Sequence, residues 1–155
     1  IRPELGSWTM TSITSAFVIS LSLLVQDAAG HVNTKPMPKD GAEAIATVCN
    51  ATKFPSRCAA ILAVLSFRES GNNHLAVHDG GKGCGAYGVL CRYKHDTWLD
   101  QVKSAWGLVV YSATMCEEPL ALYASGSCKN AAGIAISKNR IAESKRVEAL
   151  ASVQP

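Results

Sequence analysis

Glu69 is the residue from which chemistry is most readily built. It ends a run, Arg57 to Ser70, with helical spacing of apolar residues, and Gly71 follows as a stop. Leu65 and Leu62 lie four and seven residues before it and share its face, so that face is expected to point inward. Burial disfavours a charged carboxylate, and the C-terminal end of a helix carries partial negative charge that disfavours it further. A carboxyl that keeps its proton near neutral pH can protonate a glycosidic oxygen as a general acid. The plainer reading of the same spacing is a glutamate at a helix end that reaches solvent.

Hydrolytic glycosidases use a second carboxylate, roughly 5 to 9.5 Å from the first. Asp79 is the candidate, in the Gly-rich stretch beyond Glu69; the competing reading is a turn residue before Gly80-Gly81. If Asp79 faces Glu69, attack by water is open to the site. If it faces away, a single acid suits intramolecular ring closure.

Other spacings are decoys. Cys84 or Cys91 with His78 or His95 could form a thiol-nucleophile pair, and Cys84, Cys91 and His95 could ligate zinc, but no C-x-x-C pair supports a metal. His74 and His78 are four apart in a Gly/Asn-rich loop rather than on a helix. Gly83-x-Gly85-x-x-Gly88 spells a dinucleotide fingerprint but follows a helix and loop, not a strand. Gly81-Lys82 is followed by Gly83, so it makes no phosphate loop. No metal and no cofactor are expected.

The elements that must hold Glu69 are mostly helical. Asp40 is expected to cap a helix through about residue 52, with Ala42, Ile45, Ala46 and Cys49 at helical spacing. Ser56 is expected to cap the Glu69 helix. Six glycines between 71 and 88 predict loop and turn, with a short hairpin around Asp79-Gly80-Gly81. Further helices are predicted over 96–111, with Leu99, Val102, Trp106 and Val109 on one stripe, over 117–124, and over 130–151. Lys138, Arg140, Lys145 and Arg146 on the last helix, with Glu143 and Glu148, read as a solvated face of mixed pairs rather than a surface for anionic glycan or lipid. The fold class is mainly α with a small β element, an α+β domain.

The 155 residues suggest one domain, and 48% hydrophobic against 17% charged residues excludes an ordinary disordered chain. A net charge of +3 is too mild to argue for nucleic acid. Ala16 to Val25 carries no charge and is too short for a bilayer span, which needs roughly 20 apolar residues. It fits the apolar core of an export signal, with Ala28-Ala29-Gly30 as small residues for cleavage; the alternative is a buried N-terminal helix of the fold. Residues 1–29 are therefore read as a leader, 30–39 with Pro36 and Pro38 as a linker, and 40–155 as the domain. All six cysteines, Cys49, Cys58, Cys84, Cys91, Cys116 and Cys128, lie beyond the leader, which suits an oxidising compartment. Six cysteines allow 15 pairings, of which pairing between sequence neighbours is the simplest.

Three segments in order resemble the lytic transglycosylase branch of the lysozyme-like superfamily: Glu69-Ser70-Gly71, then Gly85-Ala86-Tyr87-Gly88-Val89-Leu90, then Leu120 to Gly126 containing Tyr123. The resemblance covers about residues 57–135. It implies a lysozyme-like fold and cleavage of peptidoglycan at the β-1,4 bond between N-acetylmuramic acid and N-acetylglucosamine. On it, Glu69 matches the catalytic acid and base, Ser70 a residue that orients the glutamate or the substrate, and Tyr123 an aromatic wall of the cleft, with Tyr87 and Asp79 in supporting positions. It implies glycan strands as partner, a secreted or periplasmic monomer, and membrane contact only through an uncleaved N-terminal segment. The chain departs from the family pattern at Leu90-Cys91, where the family has Met-Gln, and at Ala124, where it has Asn. Those departures leave a non-catalytic glycan- or protein-binding module as the rival expectation.

Overall fold

The computed structural model describes residues 12–29, 35–91 and 96–152. Helix α1 (Ser15–Ala29) packs on α2 (Lys39–Asn50), α3 (Pro55–Ser70) and α6 (Ala131–Ser152). Between α3 and α4 (Trp98–Met115) lies a three-stranded antiparallel sheet of β1 (Val77–His78), β2 (Gly83–Cys84) and β3 (Val89–Leu90). The short α5 (Ala121–Ser125) leads into α6. The molecule is mainly helical, as expected, and the predicted hairpin is extended by a third strand. Val77 pairs with Cys84, His78 with Gly83, Gly83 with Leu90 and Cys84 with Val89.

The apolar run read as a leader forms α1, which packs on the other helices. Val18, Leu21 and Val25 recur at helical spacing and are completely buried. Ser22 and Gln26 lie among them and are satisfied: the Gln26 amide donates to the Lys35 carbonyl at 2.8 Å, and Ser22 Oγ accepts from Asn72 at 3.4 Å. The core therefore extends upstream of residue 40. The described end of the linker is tied down too, since Met37 is buried and a β-carbon on Gly41 would lie 2.7 Å from its sulfur.

Helix starts differ from the caps expected. Pro38 and Phe54 occupy the N-cap positions of α2 and α3, and neither helix has a side-chain cap. Asp40 instead sits in the first turn, where its charge complements the helix dipole. Ser56 is displaced by Pro55, whose missing N–H costs nothing at the first helical position. Thr97 caps α4 by accepting from the Asp100 N–H, so that helix starts two residues later than predicted, and it continues to Met115.

Cys49–Cys58 joins α2 to α3, Cys84–Cys91 closes the loop between β2 and β3, and Cys116–Cys128 brackets α5. Three disulfides fit an oxidising environment. Among the described residues, no helix is long and apolar enough to cross a membrane.

Candidate functional site

Glu69 is half-buried at the C-terminal end of α3, above the buried Leu62 and Leu65 on the same face. The helix stops sharply beneath it. Gly71 adopts φ +64° and donates to the Phe67 carbonyl at 2.8 Å, while the Asn72 N–H reaches back to Ser66 at 3.2 Å. Asn72 is itself left-handed (φ +64°) and buried, and its side chain bonds in three directions. It accepts from the Ser66 hydroxyl at 2.8 Å and donates to the Lys35 carbonyl and Ser22 Oγ. The end of α3 is thereby tied to α1.

Ser70 lies next to Glu69 as the last residue of α3. Its hydroxyl donates to the Ser66 carbonyl and accepts from the Asn73 N–H, both at 3.0 Å. It holds the helix end to the following loop, and neither bond is to Glu69.

The opposite wall is the loop from Gly85 to Gly88. A β-carbon built on Gly88 would stand 3.2 Å from Oε2 of Glu69, at φ +63°. The bare backbone at this position lets the loop close on the carboxyl, and a side chain would be strained as well as crowded. Gln101 of α4 fixes that loop. Its Oε1 accepts from the Ala86 N–H and its amide donates to the His74 carbonyl, each at 2.9 Å, so one buried side chain joins the segment before β1 to the turn between β2 and β3. Gly85 permits the approach, since a β-carbon there would lie 2.7 Å from Gln101 Oε1.

Tyr87 is a core residue, not a cleft aromatic: its ring is 2% exposed, and its hydroxyl is buried beside Ser66 without a hydrogen bond of regular geometry. Burial pushes its ionisation far up, with Ser66 opposing weakly. It supports the site through its backbone, because Tyr123 donates to its carbonyl at 2.7 Å. Tyr123 is half-buried and its hydroxyl points inward. Burial raises its pKa well above the usual value, and the charge on Glu69 and then Tyr87 add to this. Tyr123 thus lies within electrostatic reach of Glu69. A close approach of α5 to α6 puts it there, since a β-carbon on Gly133 would meet Ser125 Oγ at 2.3 Å. Asp79 opens the 3-10 turn between β1 and β2, and its side chain lies outside those described.

Charges from α6 complete the surroundings. Arg68 forks onto Glu143, its Nε on Oε1 at 3.0 Å and its Nη2 on Oε2, which raises the already high pKa of the guanidinium. Arg57 pairs with Glu148 at 2.9 Å. The face of α6 read as solvated is therefore partly an interface: Lys138, Lys145 and Arg146 are exposed, but Glu143 and Glu148 bond across to α3. Arg140 turns inward. Its pKa is lowered by burial and by Arg68, against the pull of Glu69 and Glu143. The Nε of Arg140 is buried and bonded to nothing among the described residues.

The thiol and zinc readings fail because all six cysteines are in disulfides and have no thiolate to offer. His95 lies outside the described residues. Among the described residues, no three His, Cys, Asp or Glu side chains converge as a metal site. Gly83 lies in β2, and Gly85 and Gly88 lie in the turn from β2 to β3, so these glycines join two strands rather than opening a helix that could hold a phosphate. A groove of about 460 Å³ lined by Asp40, Glu43, His74, Asp96 and Trp98 has none of Glu69, Gly88 and Tyr123 in its lining.

Sequence reasoning missed Gln101, Asn72 and Arg140. Gln101 lies in a helical pattern with its partners Ala86 and His74 well upstream, and Arg140 ends a polar run, Ser137-Lys138-Asn139-Arg140, that reads as a solvated face. Only the spacing of Arg140 and Glu143, three apart on a helix, hinted that they could face a second pair. The chain matches no protein-family model, no curated protein and no solved structure.

Proposed function

We propose that this chain is a lysozyme-like lytic transglycosylase or muramidase that cleaves the β-1,4 bond between N-acetylmuramic acid and N-acetylglucosamine, with Glu69 as general acid and then base. The observation that carries this reading is the setting of Glu69: a half-buried carboxyl at a helix end, against the bare backbone of Gly88 and within electrostatic reach of Tyr123 and Arg140. Such a carboxyl is positioned rather than free to sample solvent, as proton transfer requires.

In the first step the Glu69 proton passes to the bridging oxygen. The bond from the muramyl anomeric carbon to that oxygen breaks, and its electron pair leaves with the N-acetylglucosamine side. In the second, the muramyl 6-hydroxyl bonds to the anomeric carbon and returns its proton to Glu69, giving a 1,6-anhydro end and regenerating the acid. Water in place of the 6-hydroxyl gives a reducing end. Tyr123 and Gly88 hold the walls, and the Gln101 bonds and the Cys84–Cys91 disulfide keep the Gly88 loop closed. Three disulfides accord with action outside the cytoplasm, in the cell envelope or beyond it.

A non-catalytic glycan-binding module is the second reading. It is favoured by one feature: the family's glutamine position holds Cys91, which is locked to Cys84 and offers no polar contact. Incubation with purified peptidoglycan separates the two. The enzyme releases soluble muropeptides, and Glu69→Gln stays folded but releases none. A binding module sediments with the glycan equally well in both forms and releases nothing.

A further inference from the structure

Two arginines and two glutamates meet where α3 packs on α6, but they are not equivalent. Arg68 and Glu143 satisfy each other through two hydrogen bonds. That pairing fixes the register of the helices and sets the turn of α6 that carries Arg140 beside the turn of α3 that carries Glu69. Arg140 lies three residues before Glu143, on the same face. It is partly buried, its Nε lacks a partner among the described residues, and Arg68 repels it. A guanidinium so placed costs stability unless a nearby anion compensates it.

We propose that Arg140 is the positioning cation of the site: α6 delivers its guanidinium to Glu69, where it stabilises the carboxylate that Glu69 becomes on giving up its proton. The inference rests on the proposed glycosidase reading for its catalytic consequence, but not for its electrostatics. Among the described residues, the charged and titratable groups near Glu69 and its partners include Arg68 on its own helix, Tyr87 in the loop, Tyr123 on α5, and Arg140 and Glu143 on α6. Arg68 is neutralised by Glu143, and both tyrosines hold their protons across the working range. Arg140 has no such fork: its Nε is buried without a partner among the described residues, and its charge and that of Glu69 attract.

The test is a carboxyl ¹³C NMR titration of Glu69 in the whole chain, for wild type, Arg140→Met and Arg140→Lys. Loss of a neighbouring opposite charge raises a carboxyl midpoint by about one unit or more. Arg140→Met is therefore expected to titrate about one unit above wild type, and Arg140→Lys within a few tenths of it. Arg140→Gln serves in its place should Arg140→Met not fold. The muropeptide assay gives the second readout. The alkaline limb of the pH–rate profile shifts up with the NMR midpoint, and the maximal rate falls about tenfold in Arg140→Met but not in Arg140→Lys. An unchanged Glu69 midpoint in Arg140→Met or Arg140→Gln, or equal shifts in the Lys and Met variants, overturns the proposal. A shifted midpoint in a protein that releases no muropeptides leaves it standing and refutes only the glycosidase reading.

Discussion

Gln101→Ala gives a demanding test of how the site is held. Gln101 is 3% exposed and makes two hydrogen bonds of 2.9 Å, to the Ala86 N–H and the His74 carbonyl. Truncation leaves both backbone groups without partners, and each such loss costs about 1–3 kcal/mol when the group stays buried. Local opening of the loop admits water and recovers part of this, so a net loss of about 2–4 kcal/mol is expected. For a chain of this size each 1 kcal/mol lowers Tm by roughly 3 °C, so the midpoint should fall by about 6–12 °C. The loss should be local first. Amide exchange at Ala86 should accelerate ahead of the α3 core amides, and muropeptide release should drop with it, because Ala86 precedes the Gly88 wall by two residues. Gln101→Glu provides the control. At neutral pH its carboxylate still accepts from Ala86 but repels the His74 carbonyl; at low pH the protonated acid can both accept and donate. The destabilisation of Gln101→Glu relative to wild type should therefore shrink as pH falls. Urea denaturation and hydrogen exchange read both effects. A Gln101→Ala protein within 0.5 kcal/mol of wild type, with unchanged Ala86 exchange, would refute the claim that this side chain holds the loop.

Two further predictions concern stability. Removing the Cys84–Cys91 bridge by double serine substitution frees a short loop whose ends are seven positions apart, and should cost about 2 kcal/mol in denaturant midpoint measurements. It should also reduce muropeptide release more than removal of Cys49–Cys58, which lies away from Glu69. Tyr87 and Tyr123 both keep their protons in the folded state to higher pH than in the unfolded chain. The native state thus binds more protons above about pH 10, and stability is intact below that value and declines as pH rises beyond it, by up to about 1.4 kcal/mol per unit for each tyrosine. Denaturation curves collected from pH 8 to 11 should show the decline, with a shallower slope in Tyr123→Phe.

The helices that carry the site were legible because their apolar periodicity is strong: α3 with its Gly71 stop, α4 with its Val102 and Val109 stripe, and α6 all lie close to their expected spans. Their starts were not, because proline and geometry at positions 38 and 55 outweighed the side-chain caps suggested by Asp40 and Ser56. The segment from Ala16 to Val25 shows a deeper ambiguity. An export signal and a buried helix require the same uncharged apolar run, and the packing of this one, with Ser22 and Gln26 bonded to Asn72 and Lys35, joins residues far along the chain that the run itself does not reveal. The place of Glu69 at the end of α3 was legible because helix spacing and a glycine stop are local. Arg68–Glu143 and Gln101–His74 were not, because residues 75 and 27 positions apart leave no mark on one another in a single sequence.

The central claim is that Glu69 moves the proton in cleavage of a glycan strand. Mass spectrometry of the soluble products from purified peptidoglycan, with wild type and Glu69→Gln in parallel, tests it most directly. The account predicts muropeptides from wild type, ending either in 1,6-anhydro-muramyl residues, one water lighter, or in reducing ends if water attacks, and none from Glu69→Gln. No soluble product from folded wild type, or equal release by Glu69→Gln, would contradict it.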